Sequence, residues 1–416
     1  MSKKKVIIVG GGFGGINAAK ALKKDEEVEI LLIDKSNYHL FQPLLYQVAS
    51  AALSPGNIAA PIREILRRQK NATVVMGEVV KIDKEEKEVE LATGEKYPYD
   101  YLVLAPGARH AYFGHDEWEV FAPGLKTLSD AIKIREKILA AFEEAEKIND
   151  PEHVDKYLRF VIIGGGPTGV EMAGAIAEIT RKTLTGNYRN IDPDTAEIIL
   201  VEGEENILPA YPDSLCKTAK HYLESMGVTV LVNTRVKEVT NDGVSVGDHF
   251  IESKNVIWAA GNQAAKFLKQ LDVEQDRAGR VIVRSDMTPP GLDDIFVIGD
   301  ASHFTLPDKS MLPGIASVAI QQGRYVAKMI RKDIPHNERP PFSYFDKGSL
   351  ATIGKGKAVG LYKEMHFKGY PAWLIWSFVH IFYLISFTSR VLVMMQWIFW
   401  YWSNKRQARL IVKREE

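Results

Sequence analysis

The chain has 416 residues, and its 53 Lys plus Arg are balanced by 53 Asp plus Glu. That length allows two or three domains, and a net charge of zero gives no electrostatic footprint for nucleic acid or another polyanion. One cysteine, Cys216, excludes an intramolecular disulfide, a CxxC redox pair and a cysteine-built zinc site.

The first residues, MSKKKVIIVGG, are basic and then apolar for only four positions before glycine. A secretory core needs about 7–15 apolar residues, so the segment reads as a buried strand in a cytoplasmic protein. Glycines follow at Gly10, Gly12 and Gly15, then a helix with Ala18, Ala19 and Ala21, then the strand VEILLID ending at Asp34. Strand, GxGxxG, helix, strand and acid in this order form a dinucleotide fingerprint. The first glycine makes the tight turn, the second admits a pyrophosphate, and the third lets helix pack on sheet. The helix N-terminus then offers free N–H groups to the phosphates, and Asp34 can accept from ribose hydroxyls.

The same grammar returns at RFVIIGG, with Gly164, Gly166 and Gly169, the helix GVEMAGAIAEIT, the strand AEIILVE and the acid Glu202. Here the acid comes 33 residues past the last glycine, because RKTLTGNYRNIDPDTA lengthens the connection. A carboxylate at Glu202 would repel the 2′-phosphate of NADPH, which favours NADH. Two such units predict one protein holding two dinucleotides, a bound flavin and an exchangeable nicotinamide. Glu171, two residues past Gly169, is either a helix-start acid facing the dipole or a functional carboxylate. His39, His303 and His380 have no metal-like spacing and read as core or surface residues, so no metal site is expected.

Composition changes near the end. Residues 372–389, AWLIWSFVHIFYLISFTS, carry no formal charge with His380 neutral, and five of the seven tryptophans fall between 373 and 402. Eighteen uncharged residues approach the ~20 needed to span a bilayer. Arg390 and the scattered aromatics favour helices lying in the interface instead. From 362 to 416 there are 8 Lys/Arg and 3 Asp/Glu, a surplus of +5 that would be drawn to anionic lipid headgroups. A buried dimer interface is the competing use of the same apolar surface, and the two uses are compatible.

Beyond the cradles, YDYLVLAPGA (99–108), NVIWAAG (255–261) and DDIFVIGDAS (293–302) resemble the strands of the two-dinucleotide-binding-domain flavoproteins. Pro106 stands where that family usually has threonine. The stretches NYHLFQPLLYQVASAALSP (37–55) and LPGIASVAIQQGRYVAKMI (312–330), with the aromatic C-terminus, are similar to the type II NADH:quinone oxidoreductases within it. The branches that work through paired cysteines are excluded by Cys216 standing alone.

The resemblance implies two nested Rossmann-like α/β domains and a C-terminal amphipathic, membrane-anchoring helical segment. Residues 1–112 and 290–345 would bind FAD non-covalently, 113–289 would bind NADH as substrate, and 346–416 would anchor. It assigns Gly10, Gly12, Phe13, Gly14, Gly15, Asp34, Lys35, Val80, Ala105, Gly107, Gly299, Asp300, Ala316 and Ser317 to FAD. It assigns Gly164, Gly166, Pro167, Thr168, Gly169, Glu171, Glu202, Ala260 and Gly261 to NADH, and Gln321 with Gln322 to the quinone. Glu171 and Gln321 are the implied catalytic residues, although Ser317 replaces a glutamine of the family's quinone helix.

The implied activity passes electrons from NADH through FAD to a membrane quinone without proton pumping. It would run on the cytoplasmic face of the cell membrane, in a homodimer bound peripherally to anionic lipid, with no nucleic acid. Two alternatives stay open: a soluble-type dehydrogenase reducing a protein acceptor, and an NADH-binding redox sensor resembling the apoptosis-inducing flavoproteins.

Overall fold

The computed structural model describes residues 3–148, 150–406 and 408–411. The start of the basic n-region and the last tail charges, Lys413, Arg414, Glu415 and Glu416, lie outside the described residues. In chain order the elements that build the site begin with β1 (Lys4–Val9), α1 (Phe13–Ala21), β2 (Val28–Asp34), α2 (Leu45–Ala49), β3 (Ala72–Met76) and β4 (Tyr101–Leu104). Then come α3 (Leu128–Glu146), β5 (Arg159–Ile163), α4 (Pro167–Glu178), β6 (Glu197–Val201), β7 (Val228–Leu231) and β8 (Asn255–Trp258). The chain finishes through β9 (Ile295–Val297), α5 (Ala316–Arg331), β10 (Ser349–Gly354), β11 (Lys357–Tyr362), α6 (Gly369–Tyr383) and α7 (Phe387–Ser403).

By internal packing the chain divides into two compact units. The first comprises residues 1–40, 59–109 and 262–347. Its sheet runs β9-β4-β1-β2-β3, and all of these neighbours pair in parallel. Parallel strands covered on both faces read as unbroken apolar runs, which is what VIIV and ILLI supply. Val6, Ile8, Ile30 and Leu32 have no exposed surface, and burying each such side chain stabilises by about 1.5–3 kcal/mol. Helix α1 meets α5 at close range because Gly323 has no side chain; a Cβ there would strike the Gly14 carbonyl.

The second unit comprises residues 41–58, 110–261 and 348–416. Its parallel sheet runs β7-β6-β5-β8. Helix α3 starts with a capping box, in which Thr127 Oγ1 accepts from the Asp130 N–H and Asp130 accepts from the Thr127 N–H. Such a cap stabilises a helix by about 1 kcal/mol. The long connection before Glu202 is a π-helical turn at Ile179–Thr183 continuing α4, then a short 3-10 turn at Pro193–Thr195. An antiparallel hairpin, β10 with β11, packs on α4, and α6 packs on the hairpin. The approach of α4 to β10 depends on Gly174, where a Cβ would overlap the Ile353 carbonyl. Helix α7 ends at Asn404 in the left-handed conformation (φ 54°), one of the two ordinary ways to stop a helix.

Candidate functional site: two nucleotide cradles and a buried carboxyl cavity

In the first unit β1 delivers Gly10 at φ +104°, a conformation that glycine adopts without strain. A Cβ on Gly10 would overlap the Ala105 carbonyl and one on Gly15 the Gly10 carbonyl, whereas Gly12 faces open space. The cradle is therefore closed behind and open in front, where a pyrophosphate can meet bare backbone. Asp34 accepts from the Gly11 N–H at 2.5 Å and the Ser36 N–H at 2.6 Å. Burial raises the Asp34 pKa above its ordinary value, and those two N–H groups oppose the rise. Behind it His39, buried, donates from Nδ1 to the Gly11 carbonyl at 2.9 Å and meets the Phe13 ring edge-to-face at 5.0 Å.

A small cavity in this unit brings Ala108, Gly299, Asp300, Ser302, Gly314 and Gln322 together. Gly299 (φ +69°) opens the turn after β9, and its N–H donates to Gln322 Oε1 at 2.7 Å. Gln322 is 1% exposed, so its amide oxygen braces this turn. Ala105 and Gly107 follow β4 at the same sheet end, and Ala316 and Ser317 begin α5. Ser317 Oγ shares a hydrogen bond with the Tyr344 hydroxyl at 2.9 Å. Val80 is exposed on a strand at Val79–Asp83. Gln321 is occupied: Nε2 donates to the Ser317 and Phe345 carbonyls, and Oε1 accepts from the Phe345 N–H at 3.0 Å. Both its amide hydrogens are thus committed to backbone.

The second unit repeats the cradle. Gly164 has φ +108°, a Cβ on Gly169 would strike the Gly164 carbonyl, and Gly166 faces open space. Pro167 and Thr168 form the first helical positions of α4, where proline's missing N–H costs nothing. Glu202 accepts from the Gly165 N–H at 2.5 Å and the Glu204 N–H at 2.9 Å. Ala260 and Gly261 follow β8, with the Ala260 carbonyl taking the Trp258 indole N–H at 2.7 Å. Both cradles therefore fit a dinucleotide on backbone geometry alone.

Glu171 is set apart from these. Its helix position turns it into a narrow cavity that also takes in Tyr46, Glu178, Trp376, Tyr401 and Arg406. Part of the residue surface stays open, while the packing around its carboxyl desolvates it. That burial pushes the Glu171 pKa well above the usual carboxylate range, opposed by the Thr352 backbone N–H. Two groups of rings stand at the cavity: Trp376 stacks on Trp397 at 5.3 Å, and Trp373 meets Tyr401 edge-to-face at 4.6 Å. Trp397 donates its indole N–H to Gln47 Oε1 at 2.8 Å, and Gln47 donates to the Tyr46 hydroxyl at 2.9 Å. The Trp376 indole N–H, also buried, has no partner among the described residues.

The sequence reasoning missed Tyr46, Gln47, Glu178 and Arg406. Tyr46 and Gln47 lie within the stretch 37–55 that carried the family resemblance, and Glu178 left a trace because seven residues beyond Glu171 is two helical turns and the same face.

Residues 4–323 match the family model described as pyridine nucleotide-disulphide oxidoreductase. The chain is 42% identical to the type II NADH:quinone oxidoreductase Ndh of Mycobacterium tuberculosis, over 99% of this chain and 91% of that protein. It is 31% identical to the type II NADH:quinone oxidoreductase of Staphylococcus aureus, over 86% and 90% respectively. Its fold is similar to that of NDH2 from Plasmodium falciparum in complex with NADH, with a TM-score of 0.90 at 23% identity, covering 99% of this chain and 100% of that one. The Aquifex aeolicus sulfide:quinone oxidoreductase shares the fold at a TM-score of 0.75 and 20% identity, over 93% of this chain and 91% of that one. With two intact cradles and full-length relatives above 40% identity, the chain belongs to the type II NADH:quinone oxidoreductases, flavoenzymes that use FAD and NADH.

Proposed function

We propose that the chain oxidises NADH and reduces a membrane quinone while lying on the lipid surface as a homodimer, on the cytoplasmic face and without pumping protons. Residues 1–112 and 290–345 serve FAD in this reading, and 113–289 serve NADH. When bound, FAD supplies the hydride acceptor and returns two electrons to the quinone. The chain's own residues do the rest. The first cradle, with Asp34 and the Gly299–Asp300 turn, holds FAD, and the second cradle with Glu202 orients NADH. Glu171, whose burial favours its protonated form, holds a proton that a reduced quinone oxygen requires. The aromatic cavity around it excludes water from that transfer. Gln321 spends its amide on the Ser317 and Phe345 backbone, so the chief polar group of this reading is Glu171.

The observation that carries the membrane part is the outer face of α6 and α7. Phe378, Phe387 and Trp402 are 70%, 78% and 90% exposed, with Leu374, Phe382, Met395 and Ile398 beside them. So much contiguous apolar surface normally meets a partner or a bilayer. Among the described residues no helix is long and apolar enough to cross a membrane, which favours helices lying in the headgroup layer. Deleting residues 346–416 would also remove β10 from α4, so point changes give the cleaner test. Phe378→Ser, Phe387→Ser and Trp402→Ser combined should release the protein from anionic phosphatidylglycerol vesicles in flotation, while turnover with a water-soluble quinone persists. Undiminished flotation would sink the lipid-surface reading, and absent quinone turnover in the wild type would sink the acceptor.

A further inference from the structure

Composition groups Arg406 with the basic tail that lipid headgroups would attract, yet its side chain has no exposed surface. The turn after α7 sends it inward. Nη1 donates to the Ser50 carbonyl at 2.6 Å, Nη2 donates to Glu178 Oε2 at 3.0 Å, and the guanidinium lies 4.7 Å over the Trp400 ring. Glu178 completes the clasp by accepting the Lys355 backbone N–H at 2.7 Å through its other oxygen. The Lys355 ammonium donates to the Tyr401 carbonyl, and the Thr183 hydroxyl donates to the Asn404 carbonyl at 3.2 Å. One cation thus ties the end of the chain to the end of α4, to the residue following α2, and through Glu178 to the β10–β11 hairpin. A buried pair of this kind is poor evidence of stability in itself, because desolvation offsets most of the attraction. Its location carries more weight: Ser50, Glu178, Lys355, Trp400 and Tyr401 all line the cavity that contains Glu171.

We propose that Arg406 is a positioning residue for acceptor reduction, holding Trp400 and Tyr401 across the cavity at the distance that Glu171 chemistry requires. The inference rests on the reading of that cavity as the quinone site. Arg406 touches neither cradle glycines nor Glu202, so NADH handling does not depend on it. Loosening the clasp widens the cavity and misplaces the acceptor relative to the Glu171 proton, and a misplacement of about 1 Å can cost two orders of magnitude.

The test uses the full-length flavin-loaded protein and measures the two half-reactions separately by anaerobic stopped flow, with decylubiquinone as the oxidant. Arg406→Gln should leave flavin reduction by NADH within about twofold of wild type, slow the limiting rate of flavin reoxidation by decylubiquinone about tenfold or more, and raise the half-saturating decylubiquinone concentration less. Arg406→Lys should recover part of the loss. Adding Glu178→Gln to Arg406→Gln should do the same, because no unpaired charge then remains buried. A normal limiting rate of flavin reoxidation in Arg406→Gln overturns the proposal, as does an equal fall in both half-reactions or loss of flavin from both single variants. Failure of wild-type flavin to be reoxidised by decylubiquinone overturns the quinone reading itself, and that is seen without any variant.

Discussion

The two cradles can be laid residue against residue, and they differ where their helices begin. Gly10 and Gly164, and Gly12 and Gly166, occupy matching conformations, Gly15 and Gly169 face the same carbonyl collision, and each following acid accepts a 2.5 Å bond from the N–H of Gly11 or Gly165. Two positions past the third glycine the match ends. Asn17 turns its amide back to the Phe13 carbonyl at 2.9 Å and stays within its own helix. Glu171 instead enters a cavity walled by tryptophans. Holding a dinucleotide thus requires the backbone, which both cradles share, whereas the proposed proton chemistry would require a side chain and its surroundings, which α4 supplies and α1 does not.

The largest effect expected from breaking this likeness comes from the third glycines. Gly15→Val and Gly169→Val force the same collision, with the Gly10 and Gly164 carbonyls respectively, and overpacking of this kind costs about 1–3 kcal/mol or more. Gly15→Val should isolate colourless, seen in the visible absorbance spectrum. Gly169→Val should keep its flavin yet raise KM for NADH at least about tenfold. A colourless Gly169→Val protein with a normal Gly15→Val protein would reverse the assignment of the cradles.

Next in size is the difference between Asn17 and Glu171. Glu171→Gln should slow flavin reoxidation by quinone about 100-fold, the order of a lost general acid, while flavin reduction by NADH holds. Stability gives a second readout. The folded Glu171 pKa is raised above its unfolded value, so the native state binds the extra proton between the two. Its contribution is complete below the unfolded value and is lost as pH rises through the folded one. The wild type should therefore lose thermal stability on the alkaline side more steeply than Glu171→Gln. Parallel melting curves from pH 5 to 9 would remove Glu171 from the proton role.

The smallest effect separates the two acids. Glu202→Gln removes the charge that opposes a 2′-phosphate, so kcat/KM for NADPH relative to NADH should rise about tenfold. Asp34→Asn, the same change in the first cradle, should leave that ratio alone and weaken flavin retention. Equal ratios in both variants would mean that Glu202 does not meet the ribose.

Much of this was legible in the sequence because it depends on local backbone. Gly10-x-Gly12-x-x-Gly15 and its repeat announce tight turns in any setting, since only glycine takes φ near +105° without strain and only glycine lets helix meet strand so closely. Apolar runs such as VIIV and VIIG likewise announce parallel strands. The cavity was not legible in this way. Ser50, Glu178, Lys355 and Arg406 are scattered over more than 350 positions, and no spacing rule brings them together. Gln321 shows the converse: its motif position suggested a free donor, but Phe345 occupies its amide.

The sequence by itself determined that this chain folds as two dinucleotide-binding units and cannot use paired thiols, because glycine geometry and the presence of one cysteine hold in any tertiary context. Only the tertiary structure decided that, among the described tail cations, Lys405 faces outward while Arg406 is enclosed. Burial of a guanidinium is tolerated only where a carboxylate and a carbonyl already wait for it, and those partners come from segments that folding, not chain order, makes neighbours.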